Sequence, residues 1–388
     1  MNDPIYLDHN ATTPVRAEVV EAMLPWLKEH FGNPSSTHVY GRRAHEAIEK
    51  AREQVAALLG CQADEVFFTS GGTEANNLAI LGSSEAAAEG RRHVVTSVVE
   101  HPATARPCDR LQHDGWELTR LPVDADGRIR VEEVRAFLRG DTALVSVMLA
   151  NNETGTIMPI REVAEIAHSR GALVHTDAAQ AVGKLPVRVE ELGVDLLSVA
   201  GHKLYAPKGV GVLFVRRGTL IRPVLLGAGH ERGLRPGTEN VPYIVGLGQA
   251  CEVAARDLEK EAARVEALRD ELWALLSAEV PGIRLNGYRT ERLPNTLNVC
   301  FPGVSGNAVL GAAPEVAAST GSACHEGAES PSAVLLAMGL EASTALGAVR
   351  LSLGRGTSKK QVQEAARALV RAWKEVSLTA SAAIRLRP

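Results

Sequence analysis

The sequence contains no long apolar run, no block of basic residues and no closely spaced pair of cysteines. Its longest apolar runs fall far short of the roughly 20 residues that a membrane-spanning helix needs. The first residues, MNDPIYLDHNATTPV, contain neither the basic nor the apolar region of a signal peptide. We therefore expect a cytoplasmic protein that does not associate with a membrane.

The charge of the chain is nearly balanced, with 42 Lys and Arg residues against 46 Asp and Glu residues. Proteins that bind nucleic acids or anionic membranes usually carry a cluster of basic residues. Because no such cluster is present, we expect no direct binding of nucleic acid.

The five cysteines are scattered, and none belongs to a CxxC pair or to a Cys/His cluster with the spacing of metal ligands. An odd number of separated thiols in a cytosolic protein argues against a disulfide framework and against a zinc site. At least one thiol must therefore be free, and we expect no bound metal. The cysteines are Cys61, Cys108, Cys251, Cys300 and Cys324.

A chain of 388 residues exceeds the about 250–300 residues that one core usually organises, so we expect two domains. Short runs rich in Val and Leu alternate with amphipathic stretches such as 73–89 and 160–170. Strands that alternate with helices form a mostly parallel sheet covered on both faces. The runs that predict strands are 65–70, 92–100, 142–150, 172–177, 195–200 and 209–215.

The pattern changes after about residue 240, where long helical periodicity replaces the alternation. Residues 245–280 combine this periodicity with interleaved charges, which predicts a helix that leaves the sheet and bridges to a second unit. The remainder, about 281–388, ends in the amphipathic stretch SKKQVQEAARALVRAWKEV. We expect it to form a smaller α+β domain.

Polar residues follow several predicted strands, at the edge where parallel α/β sheets collect their ligands. Gly71, Gly72 and Thr73 open a helix whose N–H groups form a phosphate cradle, unless Thr73 is simply the N-cap after a glycine turn. The segment is neither a GxGxxG fingerprint nor a P-loop. His101 is a candidate acid–base group or a lid over a flat ligand, with a histidine satisfied by the backbone as the alternative.

Asp177 and Lys203 end two further strands. The carboxylate is suited to a ring nitrogen that must stay protonated, or it caps the next helix. Burial would lower the pKa of the lysine and favour Schiff-base chemistry, unless the side chain reaches solvent. A phosphate cradle, a carboxylate for a ring nitrogen and a Schiff-base lysine are together what pyridoxal phosphate requires.

These loops belong to a longer series of motifs that resembles the cysteine desulfurases, with the selenocysteine lyases as close relatives. The motifs run in the order of that family from residue 6 to residue 355, so the resemblance covers nearly the whole chain. The motifs are YLDHNATTPV, GNPSSTHVYGRRA, TSGGTEANN, VEHPA, NNETG, HTDAAQAVGK, GHKLYAPKG, ERGLRPGTEN, LPNTLN, GSAC and VRLSLGR.

The resemblance implies an α/β fold of the fold-type-I enzymes that depend on pyridoxal phosphate. A large domain, residues 16–257, would contain a mostly parallel seven-stranded sheet and bind the cofactor. Residues 1–15 and 258–388 would form a smaller α+β domain.

The resemblance also implies roles for the strand-end residues. Lys203 would hold pyridoxal phosphate as a Schiff base, and His101 would stack on its ring and help to move protons. Asp177 would pair with the ring nitrogen, and Gln180 would contact the phenolic oxygen. The phosphate would be bound within the subunit by Gly72, Thr73 and His202.

Three more residues would complete the site. Thr238 would reach the phosphate of the neighbouring subunit, so a homodimer would be needed. Asn152 would contact the cofactor and, with Arg350, bind the carboxylate of the substrate. Arginine suits that task because its planar guanidinium binds carboxylates bidentately.

Cys324, within STGSACHEG, would be the nucleophile. Its thiolate would take the sulfur of L-cysteine, release L-alanine and carry a persulfide to a protein acceptor such as an iron–sulfur scaffold or a sulfur carrier. A thiol with the ordinary pKa of about 8.5 is only partly ionised at neutral pH, so His101 or His325 would assist its deprotonation.

Some positions depart from the pattern of the family. Ala200 stands where many desulfurases have a serine that binds phosphate, and the RPGTEN and ACH segments resemble selenocysteine lyases as much as bacterial desulfurases. Release of selenium from L-selenocysteine is therefore an alternative. His9 stands where Asn is common, and the sequence assigns it no role. The fold would also suit an aminotransferase-like or kynureninase-like enzyme, which needs no thiol, or an inactive scaffold.

Overall fold

Residues 3–320 and 330–385 of the chain are described by a computed structural model, and within them seven strands form one central sheet. Two smaller sheets lie outside it. The strands are β1 Ile5–Tyr6, β2 Val66–Thr69, β3 His93–Ser97, β4 Glu117–Leu121, β5 Thr142–Ser146, β6 Leu173–Asp177, β7 Leu196–Ala200, β8 Gly211–Val215, β9 Arg284–Asn286, β10 Thr296–Cys300, β11 Val316–Ala317 and β12 Ala348–Ser352.

Helices connect most of these strands and cover the sheet. The α-helices are α1 Ala17–Lys28, α2 Val39–Leu59, α3 Gly72–Glu85, α4 Pro102–His113, α5 Val131–Phe137, α6 Ile160–Ser169, α7 Val189–Leu192, α8 Val241–Glu279, α9 Gly306–Gly311, α10 Ala333–Ala337, α11 Ala342–Ala345 and α12 Lys359–Arg385. Short 3₁₀ turns occupy Ala63–Glu65, Gly201–Lys203 and Glu231–Gly233. In the described part of the chain, no helix combines the length and the apolarity that crossing a bilayer requires.

The central sheet has the strand order β2-β8-β7-β6-β5-β3-β4. Its neighbouring strands are parallel except at β8, which runs antiparallel to both β2 and β7. The prediction of a mostly parallel sheet is thereby confirmed. Strand β4 was not predicted, because it lies at the sheet edge and its sequence, ELTRL, mixes charged and apolar residues rather than forming an apolar run.

Consecutive residues of the central strands face opposite helical layers. Val94 and Leu144 pack into a cluster with Leu78 of α3, whereas Val95 and Val145 belong to the cluster on the other face. Fully burying one such side chain contributes about 1.5–3 kcal/mol, so both faces must be covered. This two-sided burial explains why the strands read as continuous apolar runs.

A separate core lies beyond the sheet. Leu7 from the N-terminal segment packs there with residues from the second half of α8, from β10 and β12, and from α12, including Leu272, Val299, Leu351 and Leu369. Strand β10 pairs antiparallel with β9 and β12. Helix α8, which is 39 residues long, contributes to both cores. The division of the chain into domains stays a prediction.

His9 has a packing role that the sequence did not reveal. Its ring is buried and meets Tyr6 edge-on, with 4.9 Å between ring centroids, and Tyr205 lies 6.1 Å away. A Cβ on Gly354 would lie 2.2 Å from the His9 ring, so the ring fills the space above that glycine. His9 thus packs the N-terminal segment against the turn that follows β12.

An ion pair buried at the edge of the central sheet joins three parts of the chain. Arg52 of α2 donates from both terminal nitrogens to the carboxylate of Glu231, each at 2.8 Å. The carbonyl of Val66 accepts from Arg52 and the N–H of Phe68 donates to Glu231, both at 2.8 Å. The pair therefore satisfies the outer edge of β2, which has no strand neighbour on that side within the described residues.

Replacing Glu231 by Gln should destabilise the protein strongly, because it removes the buried bidentate partner of Arg52 and leaves only the exposed carboxylate of Glu49 beside that charge. We expect a loss of about 3–5 kcal/mol in the free energy of unfolding, measured by urea denaturation. Arg161→Ala, which removes the exposed Arg161–Glu165 pair, is the control and should change it by less than about 0.5 kcal/mol. Equal effects of the two variants would contradict a structural role for the buried pair.

Candidate active site

A cavity of about 680 Å³ opens at the carboxyl ends of the central strands. Strand β6 contributes Asp177 at its last residue, and β7 is followed directly by the turn that contains Lys203. The start of α3 and the N-terminal segment around Asn10 form two other walls, and Arg350 enters from β12. The cavity thus lies where both cores meet.

The cavity brings together most of the predicted site residues. Thr238 is exposed and lines a different surface pocket with Arg235 and Glu239. Cys324 and His325 lie outside the described residues. The predicted residues that line the cavity are Gly72, Thr73, His101, Asn152, Asp177, Gln180, His202, Lys203 and Arg350.

Lys203 is held at the wall by two main-chain carbonyls. Its Nζ donates to the carbonyl oxygens of Asn10 at 2.6 Å and Ala11 at 2.8 Å. Burial, followed by the charge of Arg350, lowers the pKa of Lys203 to about 8, against the opposing effect of Asp177. A substantial neutral fraction near physiological pH makes this amine a nucleophile and a base.

Asp177 is a buried carboxylate fixed by two neutral donors. Asn76 of α3 donates to one oxygen at 2.7 Å, and the N–H of Ala179 donates to the other at 2.9 Å. Within the described residues, no lysine or arginine forms an ion pair with it. A buried carboxylate without a cationic side-chain partner fits a ligand that supplies the positive charge.

His101 both caps a helix and faces the cavity. Its Nδ1 accepts from the N–H of Ala103 at 3.1 Å as the N-cap of α4. Burial lowers the pKa of His101, and the charges of Lys203 and Arg350 lower it further while Asp177 opposes them. The neutral ring therefore carries its proton on Nε2, because Nδ1 is an acceptor. Backbone contact and a role in the site, the two interpretations of this histidine, are thus compatible.

The first turn of α3 has the features of an anion site. Gly71 is the N-cap, so Thr73 does not cap the helix and leaves its exposed side chain beside the first N–H groups. A Cβ on Gly72 would lie 3.1 Å from the Cβ of Ala200, so the start of α3 packs closely against the end of β7. His202 pairs with the hydroxyl of Thr12 at 3.2 Å, and burial lowers its pKa to about 4.

Arg350 presents a buried guanidinium to the cavity. It donates from Nη2 to Asp8 at 2.8 Å and from Nη1 to the carbonyl of Asn152 at 3.1 Å. Its Nε is buried and has no hydrogen-bond partner in the described part of the chain. A carboxylate ligand would meet a rigidly placed cation with spare donor capacity.

Four residues that line the cavity or lie behind its wall were not predicted as site residues, although the motifs that contain them were noted. Glu100 and Glu153 have pKa values raised by burial to about 8 and about 7. Glu153 accepts a hydrogen bond of 2.6 Å from Ser332. Asn10 and Lys184 contact Gln180. Each residue lies in a motif quoted above, but only the folded chain shows its neighbours.

Comparison with known proteins places this fold and site in context. The family described as Aminotransferase class-V matches residues 5–364. The chain belongs to the class-V aminotransferase family. It is 48% identical over 360 residues to a cysteine desulfurase from Trichormus azollae, covering 92% of this chain and 90% of the relative. It is 48% identical over 366 residues to the cysteine desulfurase NifS of Azotobacter vinelandii, covering 94% and 91%.

The fold of this member of the class-V aminotransferase family also matches a solved structure named as a NifS-like protein. The TM-score is 0.90 and the sequence identity 37%, with 96% of this chain and 100% of the other covered. The cofactor of this family is pyridoxal phosphate. The residues present fit that group, since an unpaired buried carboxylate, a lysine of lowered pKa and a helix start with free N–H groups line one cavity.

The lowered pKa of Lys203 should respond to its two charged neighbours in opposite directions. In protein stripped of cofactor, Arg350→Gln removes a positive charge and should raise that pKa above about 8. Asp177→Asn removes a negative charge and should lower it. The pH dependence of amine labelling at Lys203, followed by mass spectrometry with exposed Lys360 as the internal reference, measures both shifts. Shifts of the same sign would contradict this account of the site.

Proposed function

We propose that this member of the class-V aminotransferase family is a cysteine desulfurase that removes sulfur from L-cysteine. The observation that carries the proposal is one cavity in which a lysine of lowered pKa and a buried arginine face each other across the site. An amino acid needs both, because its carboxylate requires a cation and its Cα proton requires a base. The similarity to proteins named cysteine desulfurase supports this substrate.

Each cavity residue has a task in the proposed reaction. Arg350 and Asn152 bind the substrate carboxylate, and Lys203 Nζ takes the proton from Cα. Pyridoxal phosphate, when bound, supplies an electron-withdrawing ring, and Asp177 keeps the nitrogen of that ring protonated. Gly72, Thr73 and His202 hold the phosphate, and Gln180 contacts the phenolic oxygen.

Sulfur transfer is assigned to Cys324. Its thiolate attacks the sulfur of cysteine, so an S–S bond forms while the bond between that sulfur and Cβ breaks. Cβ keeps the electron pair and gains a proton, and Lys203 returns a proton to Cα, which gives L-alanine and a persulfide on Cys324. We propose that neutral His101 assists the ionisation of this thiol by donating a hydrogen bond from its protonated Nε2 to the thiolate, because its Nδ1 is occupied by the N–H of Ala103. His325 is the second candidate for that role.

Cys324→Ala should abolish sulfide release from L-cysteine in the presence of a reductant, without loss of the visible absorbance of the bound cofactor. The control is Cys61→Ser, since burial raises the pKa of Cys61 to about 12 and makes its thiol inert. Full activity of Cys324→Ala, or formation of a keto acid from the substrate, would contradict the proposal and favour an aminotransferase-like reaction.

The names of the relatives favour cysteine over selenocysteine. Ala200 and the RPGTEN segment therefore do not identify a selenocysteine lyase. Comparison of turnover with L-cysteine and L-selenocysteine tests this choice directly, and negligible turnover of cysteine would overturn it.

We further propose that the active protein is a homodimer whose sites are shared. Thr238 lies outside the cavity of its own subunit. The preceding segment exposes Leu225 and Leu226, with 52% and 89% of their surface accessible, which is the composition of a covered interface rather than of a free surface. Arg235 pairs with Glu74 at 2.7 Å, which holds this segment against the first turn of α3.

Hybrid dimers test whether Thr238 acts across the interface. A dimer of one Lys203→Ala subunit and one Thr238→Val subunit contains one intact site if Thr238 serves the partner. It should therefore retain about half of the wild-type desulfurase activity, whereas homodimers of either variant should be impaired. Thr219→Val, at another loop position, is the control for the substitution itself. A hybrid as inactive as both homodimers would contradict the shared site.

Three further predictions accompany this function. The persulfide is passed to a protein acceptor, such as an iron–sulfur scaffold or a sulfur carrier, in the cytoplasm. The domains are residues 16–257, and residues 1–15 with 258–388. The separate core around Leu7 and Leu272 supports that division.

A further inference from the structure

A second lysine lies behind the cavity and has no place in the reaction described above. Lys184 follows Gln180 by four residues in a pair of tight turns, in which the N–H of Lys184 donates to Ala181 and the N–H of Val182 donates to Ala178. Gly183 has a positive φ of 78°, so the chain bends back here and brings the two side chains together. Lys184 Nζ donates to Gln180 Oε1 at 2.7 Å and to Asn10 Oδ1 at 3.3 Å.

These contacts determine which end of the Gln180 amide faces which partner. The main-chain carbonyl of Asn10 is only an acceptor, and the amine of Lys184 offers N–H donors in either protonation state. Gln180 Oε1 must therefore face Lys184, and Gln180 Nε2 donates to the carbonyl of Asn10 at 2.9 Å. In the described residues this is the one acceptor of Nε2, so its second hydrogen is available to a ligand in the cavity that Gln180 lines.

Lys184 orients the side chain of Asn10 as well. Asn10 Oδ1 also accepts from Asn295 at 3.0 Å, and Asn10 Nδ2 donates to Thr296 at 2.8 Å. Both ends of this amide are thus assigned by their partners. The main-chain carbonyl of the same residue accepts from Gln180 and from Lys203.

Burial near two other basic residues disfavours the protonated form of Lys184. Burial lowers the pKa of Lys184 well below its usual range, and the charges of Lys203 and Arg350 lower it further. Lys184 in turn contributes to the lowered pKa values of His9 and His202, which burial lowers most. A group kept under these conditions is expected to serve the site rather than the stability of the fold.

We propose that Lys184 is a positioning residue that turns the Gln180 amide so that its N–H, not its carbonyl oxygen, meets the phenolic oxygen of the cofactor. The inference rests on the proposed role of Gln180 in binding pyridoxal phosphate. Without Lys184, only the hydrogen bond from Gln180 Nε2 to the Asn10 carbonyl would hold the amide, so its oxygen would turn toward the phenolic oxygen in a larger fraction of molecules. Lys184 would therefore act on the cofactor only through Gln180.

A double-mutant cycle tests this dependence, with the dissociation constant of pyridoxal phosphate from the cofactor-free dimer as the readout. Lys184→Met keeps the length of the side chain but removes its donor, and should weaken binding about tenfold, the effect of one hydrogen bond. Gln180→Leu should weaken it by a similar factor. The double variant should bind no more weakly than Gln180→Leu alone, because the two residues act as one unit.

Two further measurements separate positioning from general damage. Lys208→Met, which removes an exposed positive charge that also acts on His202, should leave the dissociation constant within about twofold. Lys184→Met should shift the pH midpoint of the visible absorption of the bound cofactor, whereas Lys208→Met should not. Additive losses in the double variant would overturn the inference while leaving the proposed function intact. Wild-type protein that binds no pyridoxal phosphate would overturn both.

Discussion

The carbonyl oxygen of Asn10 is the contact on which the arrangement of the cavity depends. It accepts from Lys203 and from Gln180, two residues on loops that follow different strands of the central sheet. Asn10 itself belongs to the N-terminal segment, where Leu7 is buried in the other core. A single peptide group therefore connects the loops of the large sheet to the segment anchored in the smaller core.

Basic side chains gather around the Asn10 carbonyl, and burial rather than ion pairing is the main influence on their pKa values. Lys203 and Lys184 both have lowered pKa values, with burial as the main cause in each case. The carboxylate of Asp177 is held by neutral donors instead of a cation. The basic residues suit an anionic ligand, and the Asp177 carboxylate suits a protonated ring nitrogen. Pyridoxal phosphate has both features.

The sequence was sufficient to predict the features that follow from local pattern and from strand ends. Apolar runs located six of the seven central strands, and the residues after them met in one cavity because parallel strands share an edge. The mixed sequence of β4 carried no such signal. The contacts of Asn10 with Gln180 and Lys184 join positions about 170 residues apart, so no local pattern encodes them.

The antiparallel direction of β8 has a consequence for how the chain can vary. A parallel strand would require a crossover of a dozen or more residues after β7. Because β8 runs back beside β7, residues 201–210 close that connection, and Lys203 lies in a 3₁₀ turn between two hydrogen-bonded strands. A shorter or longer loop would shift the register of β8 or move the amine. An insertion within residues 201–210 would therefore disturb the cavity directly, so the length of this loop is itself part of the chemistry.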